Sequence, residues 1–160
     1  MNGLAGWVTR CFVPLLTVAF MLTSAATSMA QTPVAQVSTR DAPSAMRLIN
    51  TYRAGQGLGA LRLDPRLSAA AASHARAMAA AGALSHDIGV SYAARMQRLG
   101  LATASENLGY GYAAVTEAVA AWRASPAHDA NLRKPALTRM GLARATTRGG
   151  RPYWALILAR

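Results

Sequence analysis

The run Tyr153-Trp154-Ala155-Leu156-Ile157-Leu158-Ala159 is apolar at every position. Side chains alternate across a strand, so a strand with one wet face reads apolar, polar, apolar. A strand that is apolar on both faces must be covered on both, which makes this segment the expected centre of a sheet with helices on each side. The chain is therefore expected to fold as an α+β domain in three layers, α-β-α. Met140 to Thr146 precedes the run across a turn containing Gly149-Gly150, so the chain is expected to close on a hairpin.

The covering helices are legible from their punctuation. Ser44 is expected to cap a first helix in which Ala45, Leu48, Ile49 and Tyr52 recur at helical spacing, before Gly55, Gly57 and Gly59 break it into a loop. Asp64 is a fitting N-cap for a second, with Pro65 at its first position and Gly82 beyond its end. Its face is Leu67, Ala70, Ala71, His74, Ala77, Met78 and Ala81, and so many alanines imply a close approach by a neighbouring backbone. A third helix is expected from about Ser91 to Leu99, ending at Gly100, and a fourth from about Thr116 that buries Val119 and Trp122. That fourth helix must stop before Pro126, so Ser125 is expected to cap a short new turn that fixes the direction of His128. Ser105 to Tyr112 is β-compatible.

The N-terminus does not belong to this pattern. Residues 1–30 read as an export signal: Arg10 lies in a polar start, Cys11 to Leu22 is apolar except for Thr17, and Ser28-Met29-Ala30 offers a small-x-small cleavage site. The greasy part is too short to span a bilayer, and Val8-Thr9-Arg10 lacks the small residues that precede an acylated cysteine. The expectation is a secreted protein, periplasmic or extracellular, without a membrane span after cleavage. Residues 31–43 carry Pro, Thr, Ser and Gln without periodicity and are expected to be a flexible leader, leaving 44–160 as one domain. Cys11 is the single cysteine, so the processed chain has neither a disulfide nor a thiolate site.

A formal charge of +11 raises nucleic acid or anionic polymers as partners. The charge is spread along the chain in arginines, with Lys134 the single lysine, and there is no basic run and no aromatic interleaving. Specific nucleic-acid recognition is not expected from such a pattern. Gly109 and Gly111 likewise lack the third glycine and following lysine of a phosphate-cradling loop.

Against this background His86, Glu106 and His128 stand out, in Ser85-His86, Glu106-Asn107 and Ser125-Pro126-Ala127-His128. Two imidazoles and a carboxylate form a reasonable three-point set for zinc or another divalent metal ion, leaving positions open for water or ligand. The histidines are far apart in the chain, so only the fold could unite them in one polar cleft. His74 lies on the alanine face of the second helix and is expected to be a packed histidine hydrogen-bonded through one nitrogen. Glu117 sits in the first turn of the Trp122 helix, where its charge suits the helix dipole. Asn107 is expected to fix the loop that presents Glu106, and Trp122 to anchor the core.

The order of motifs carries a resemblance: Asn50-x-x-Arg53, Gly57-Leu58-x-x-Leu61, Leu67, Ser85-His86, Glu106-Asn107, Trp122-x-x-Ser125-Pro126-x-His128, then a Gly141 strand with Tyr153-Trp154. From about residue 44 to the C-terminus the chain resembles the CAP superfamily, and within it the small secreted bacterial SCP-like branch. The resemblance implies an α-β-α sandwich with a small, mostly antiparallel central sheet. It also implies a cleft of two histidines and two glutamates that in some relatives holds a divalent ion. His86, Glu106 and His128 match three of those positions, and Ser125 stands where the eukaryotic pattern has the second glutamate.

Three functional classes follow. The first is an extracellular binding or interaction module, metal-modulated through His86, Glu106 and His128, whose cleft takes a small apolar ligand, a lipid or a cell-envelope component. The second is a secreted hydrolase, with Ser125 as nucleophile and a cleft histidine as base, or with a metal-bound water. Ser85-His86-Asp87 is not a triad, since adjacent side chains cannot form the relay, and no Gly-x-Ser-x-Gly elbow is present. The third is electrostatic adhesion to anionic polymers. A monomer is expected.

Overall fold

The structure, a computed structural model, describes residues 34–148 and 150–160. The expected signal at 1–30 and Gly149 of the expected turn lie outside the described residues. The chain runs β1 (Val34–Ser38), α1 (Ala42–Ala54), β2 (Arg62–Leu63), α2 (Pro65–Ala81), α3 (Tyr92–Arg98), β3 (Ala104–Tyr110), α4 (Val115–Ala124), α5 (Pro126–Leu132), β4 (Arg139–Thr147) and β5 (Tyr153–Ala159).

β5 sits between β4 and β3 and is antiparallel to both, with Leu156 facing Leu142 on one side and Asn107 on the other. All seven of its residues are buried. The two-residue period then sorts the core into two halves. Trp154, Leu156 and Leu158 pack with Ile49 of α1, Val119 and Trp122 of α4, and Leu132 at the end of α5. Tyr153, Ala155, Ile157 and Ala159 pack with Leu67, Ala71, Ala75 and Met78 of α2 and Met96 of α3. The result is the expected three-layer α+β sandwich.

The small residues of α2 do what their number implied. A Cβ built on Gly141 of β4 would lie 2.2 Å from both the Leu67 carbonyl carbon and the Ser68 nitrogen. Helix backbone therefore meets strand backbone with no room for a methyl group. The helix starts as its sequence predicts, with Asp64 Oδ1 accepting from the Arg66 and Leu67 N–H groups and Gly82 closing it in the left-handed conformation.

The N-terminal boundary differs from the expected one. Residues 34–38 are not a flexible leader: they form β1, paired antiparallel with the outer edge of β4 from Ser38–Arg144 to Val34–Thr147. β2 pairs parallel with the earlier part of that same edge, at Arg139 and Met140. β1 carries no period of its own because its partner decides its conformation, as is usual for strands. α1 accordingly begins at Ala42, with Pro43 in its first turn, where a missing N–H costs nothing. Ser44 is inside the helix, and its hydroxyl accepts from Arg47 instead of capping.

Arg53 is fully buried. Its guanidinium donates to the carbonyls of Gly59, Leu132, Lys134 and Leu137, tying α1 to the segment after α5. Asn50, one turn earlier, donates to the Leu61 carbonyl and accepts from the Leu61 N–H, as a strand partner would.

Candidate functional site

β3 is the edge strand beyond β5, and its alternation decides where the candidate residues point. Leu108 packs with α2 and α3, and Glu106, two residues earlier, shares that face. Asn107 faces the other layer, where its side chain donates to the His128 carbonyl and accepts from Asn131. Asn131 also donates to the Glu106 carbonyl, covering part of the free strand edge. Trp122 donates to the Leu108 carbonyl at 2.7 Å, so both residues expected to be structural join β3 to the helices.

Glu106 is 4% exposed and its carboxylate is fully engaged. Arg95 of α3 donates to both carboxylate oxygens, each at 2.7 Å, and holds the carbonyls of His86 and Val90 with its other terminal nitrogen. A buried charge of this kind persists only with a partner, and the guanidinium is that partner. His86 Nδ1 lies 2.7 Å from the same carboxylate. The carboxylate can only accept, so Nδ1 carries the proton and Nε2 is a free acceptor whenever the ring is neutral. The His86 side chain is half exposed and stands edge-on to Tyr92.

The structure thus brings two of the three expected residues into direct contact, while the third bonds a different side chain. His128 pairs with Ser125, Nδ1 to Oγ at 3.0 Å, so the Ser125 hydroxyl bonds the imidazole and makes no cap to the α5 backbone. Burial, and then the charge of His86, push the His128 ring below its usual range. The expected metal set does not fit this arrangement. Among the described residues no three His, Cys, Asp or Glu side chains converge as metal ligands, and Arg95 fills the cation's place beside Glu106.

His74 is packed as expected, and only its hydrogen bonding differs from the expectation. It is 2% exposed and its Nε2 is 3.8 Å from Glu106 Oε1, yet neither ring nitrogen has a hydrogen bond. Burial lowers its pKa more than the Glu106 charge raises it, so the ring is neutral and the contact is not an ion pair at neutral pH. Glu117 reaches back to the Ala113 N–H and serves the start of α4, away from the cleft.

A cleft of about 480 Å³ opens in front of Glu106, lined by His86, Asp87, Tyr92 and Ala93 and by Asn131 and Lys134, with Ala104 and Ser105 of β3. Lys134 donates to the Ser105 hydroxyl at 2.7 Å. Burial, with the Glu106 charge, raises the Tyr92 phenol, which stays a neutral donor. Sequence reasoning missed Arg95, Tyr92 and Lys134 as site residues. Lys134 had one signal to offer: it is the single lysine of an arginine-rich chain.

The pattern of the cysteine-rich secretory protein family, CAP, matches residues 46–158, from α1 into β5. The chain belongs to the CAP family. No curated protein matches it. Among solved structures it is similar to an outer surface protein from Borrelia burgdorferi, with a TM-score of 0.72 at 20% identity over 80% of this chain and 98% of that one. It is also similar to an extracellular protein containing an SCP domain from Bacillus anthracis, with a TM-score of 0.65 at 22% identity over 74% of this chain and 39% of that one. A cysteine-rich secretory protein from Staphylococcus aureus gives 0.59 at 22% over 79% and 40%. At these identities the likeness is one of fold. This CAP chain has a single cysteine, outside its described residues, so packing and buried hydrogen bonds take the place of disulfides. Among the described residues no helix is long and apolar enough to cross a membrane.

Proposed function

We propose that this CAP domain is an exported binding module, and that the cleft between His86 and Lys134 takes an amphiphilic small molecule or lipid of the cell envelope. The observation that carries the reading is the state of Glu106, whose charge is neutralised from inside by Arg95. With that carboxylate withdrawn, the cleft presents the Lys134 ammonium and the Tyr92 phenol as donors, beside the acceptor Nε2 of His86 and the Asp87 carboxylate. Ala93, Ala104 and the Tyr92 ring supply apolar surface beside them. A polar or acidic head at Lys134 with an apolar stretch along the alanines matches that lining.

Mass spectrometry of molecules extracted from the purified protein identifies the occupant, and titration with it raises thermal stability as ln(1 + [L]/Kd). Lys134→Ala is expected to weaken binding about tenfold, the effect of losing one charge-assisted hydrogen bond. Unchanged affinity in both Lys134→Ala and His86→Ala sinks the cleft as the site. A binding loss that follows salt and ignores both substitutions favours electrostatic adhesion instead.

One observation supports a second reading, a hydrolase: Ser125 Oγ is within hydrogen-bond reach of His128 Nδ1. A nucleophile and base of this kind also need a group that orients the imidazole, and no side chain among the described residues bonds its Nε2. Binding is therefore the preferred reading. Ester hydrolysis lost in Ser125→Ala, with the fold intact, would reverse that preference.

A further inference from the structure

Tyr110, the last residue of β3, and Tyr153, the first of β5, stand directly opposite each other in the antiparallel ladder. The Gly111 N–H donates to the Pro152 carbonyl just beyond them, so theirs is a non-hydrogen-bonded pair, the kind that brings facing side chains closest. The two ring centroids are 4.6 Å apart, with the planes tilted 41° to each other. The hydroxyl ends lie together as well: burial, and then the Tyr110 phenol beside it, raise the Tyr153 phenol above its ordinary range.

The pair is lopsided in its access to solvent. Tyr110 is 47% exposed and Tyr153 is 6% exposed, so an oxidant arriving from outside meets Tyr110 first and reaches Tyr153 through it. Among the described residues Tyr52, Tyr92 and Tyr112 have no second phenol packed against them. Residues 34–160 contain no cysteine, so no thiol intercepts a tyrosyl radical and no disulfide staples the fold.

We propose that Tyr110 and Tyr153 are a site of oxidative cross-linking, joined by one-electron oxidation into a dityrosine that staples the edge strand β3 to β5. Each phenol gives up one electron and one proton to become a phenoxyl radical, whose unpaired spin is shared with the carbons ortho to the oxygen. The two radicals pair in one new carbon–carbon bond between ortho carbons. The hydrogen on each of those carbons then moves as a proton to its own ring's oxygen, which restores both phenols. The two electrons and two protons removed convert one hydrogen peroxide, used by a haem peroxidase, into two waters. Because the ladder already holds the rings in contact, coupling inside the pair outruns coupling between molecules. The link joins positions remote in sequence, so it restricts the unfolded chain as a disulfide does, and it fastens the strand that carries Glu106.

The test is treatment of the dilute purified protein with a haem peroxidase and hydrogen peroxide, followed by dityrosine fluorescence and peptide mass spectrometry. A monomer lighter by two hydrogens should form, with Tyr110 and Tyr153 in its one cross-linked peptide pair, and Tyr110→Phe should abolish it. The cross-linked monomer should melt about 10 °C above the untreated protein. No monomeric product, a link through Tyr52, Tyr92 or Tyr112, a product that survives Tyr110→Phe, or a melting temperature unmoved by the link would each overturn the assignment. The mapped link and the melting shift need no variant, so they stand whether or not Tyr110→Phe folds.

Discussion

Arg95→Met removes the guanidinium that holds both oxygens of Glu106, a carboxylate whose side chain is 1% exposed. Taking one partner from a buried ion pair costs about 3–5 kcal/mol, because the remaining charge is left in a medium that cannot solvate it. The upper half of that range applies here, since the same substitution also frees the carbonyls of His86 and Val90. With a urea dependence of about 2 kcal/mol per molar, the unfolding midpoint should fall by about 2 M. Glu106→Gln in the same background removes the stranded charge, and the double variant should recover about 2 kcal/mol relative to the sum of the single ones. Urea unfolding followed by circular dichroism gives all four free energies of the cycle. A loss below about 1 kcal/mol for Arg95→Met, or a cycle that is simply additive, would refute the idea that Glu106 is a desolvated charge neutralised from inside.

Gly141→Ala should cost at least about 3 kcal/mol, because its Cβ would sit 2.2 Å from α2 backbone that has no rotamer to give way; an essentially unchanged melting curve would contradict that contact. Asp64→Ala removes both the α2 cap and the ion pair to Arg139 and should cost about 1.5 kcal/mol by chemical denaturation. Burial holds His74 and His128 below the ordinary 6.5, so the unfolded chain binds protons first as pH falls; stability is complete above pH 6.5 and is lost below it. Denaturation at pH 7 and pH 5 should show this loss, at most about 1.4 kcal/mol per pH unit for each ring, and His74→Leu should flatten the His74 share.

Much of the fold was legible because local chemistry agreed with it. The two-faced apolar run became β5, and Asp64-Pro65 with Gly82 bracketed α2. β1 was not legible, since only the exposed edge of β4 makes Val34–Ser38 a strand. The pairing of His86 with Glu106 follows from motifs that the sequence marks as polar punctuation. The tie from Asn107 to the His128 carbonyl follows from strand alternation, which turns Glu106 and Asn107 to opposite layers, and that register is a property of the assembled sheet. Arg53 and Arg95 look like their many exposed counterparts in the chain. Only the loop carbonyls and the carboxylate gathered around them distinguish the two, and those neighbours are brought together by folding.

Arg95 grips the backbone of Val90 and of His86, which lines the cleft, and Arg53 grips that of Leu132 and of Lys134, which lines it too. Neither lining residue waits for an occupant to be ordered. An arriving molecule forfeits little loop entropy, since preorganised surfaces pay that cost during folding. It also finds walls that resist reshaping around a poor fit. Selectivity by size and outline should therefore be steep, and bound and free forms should superpose closely.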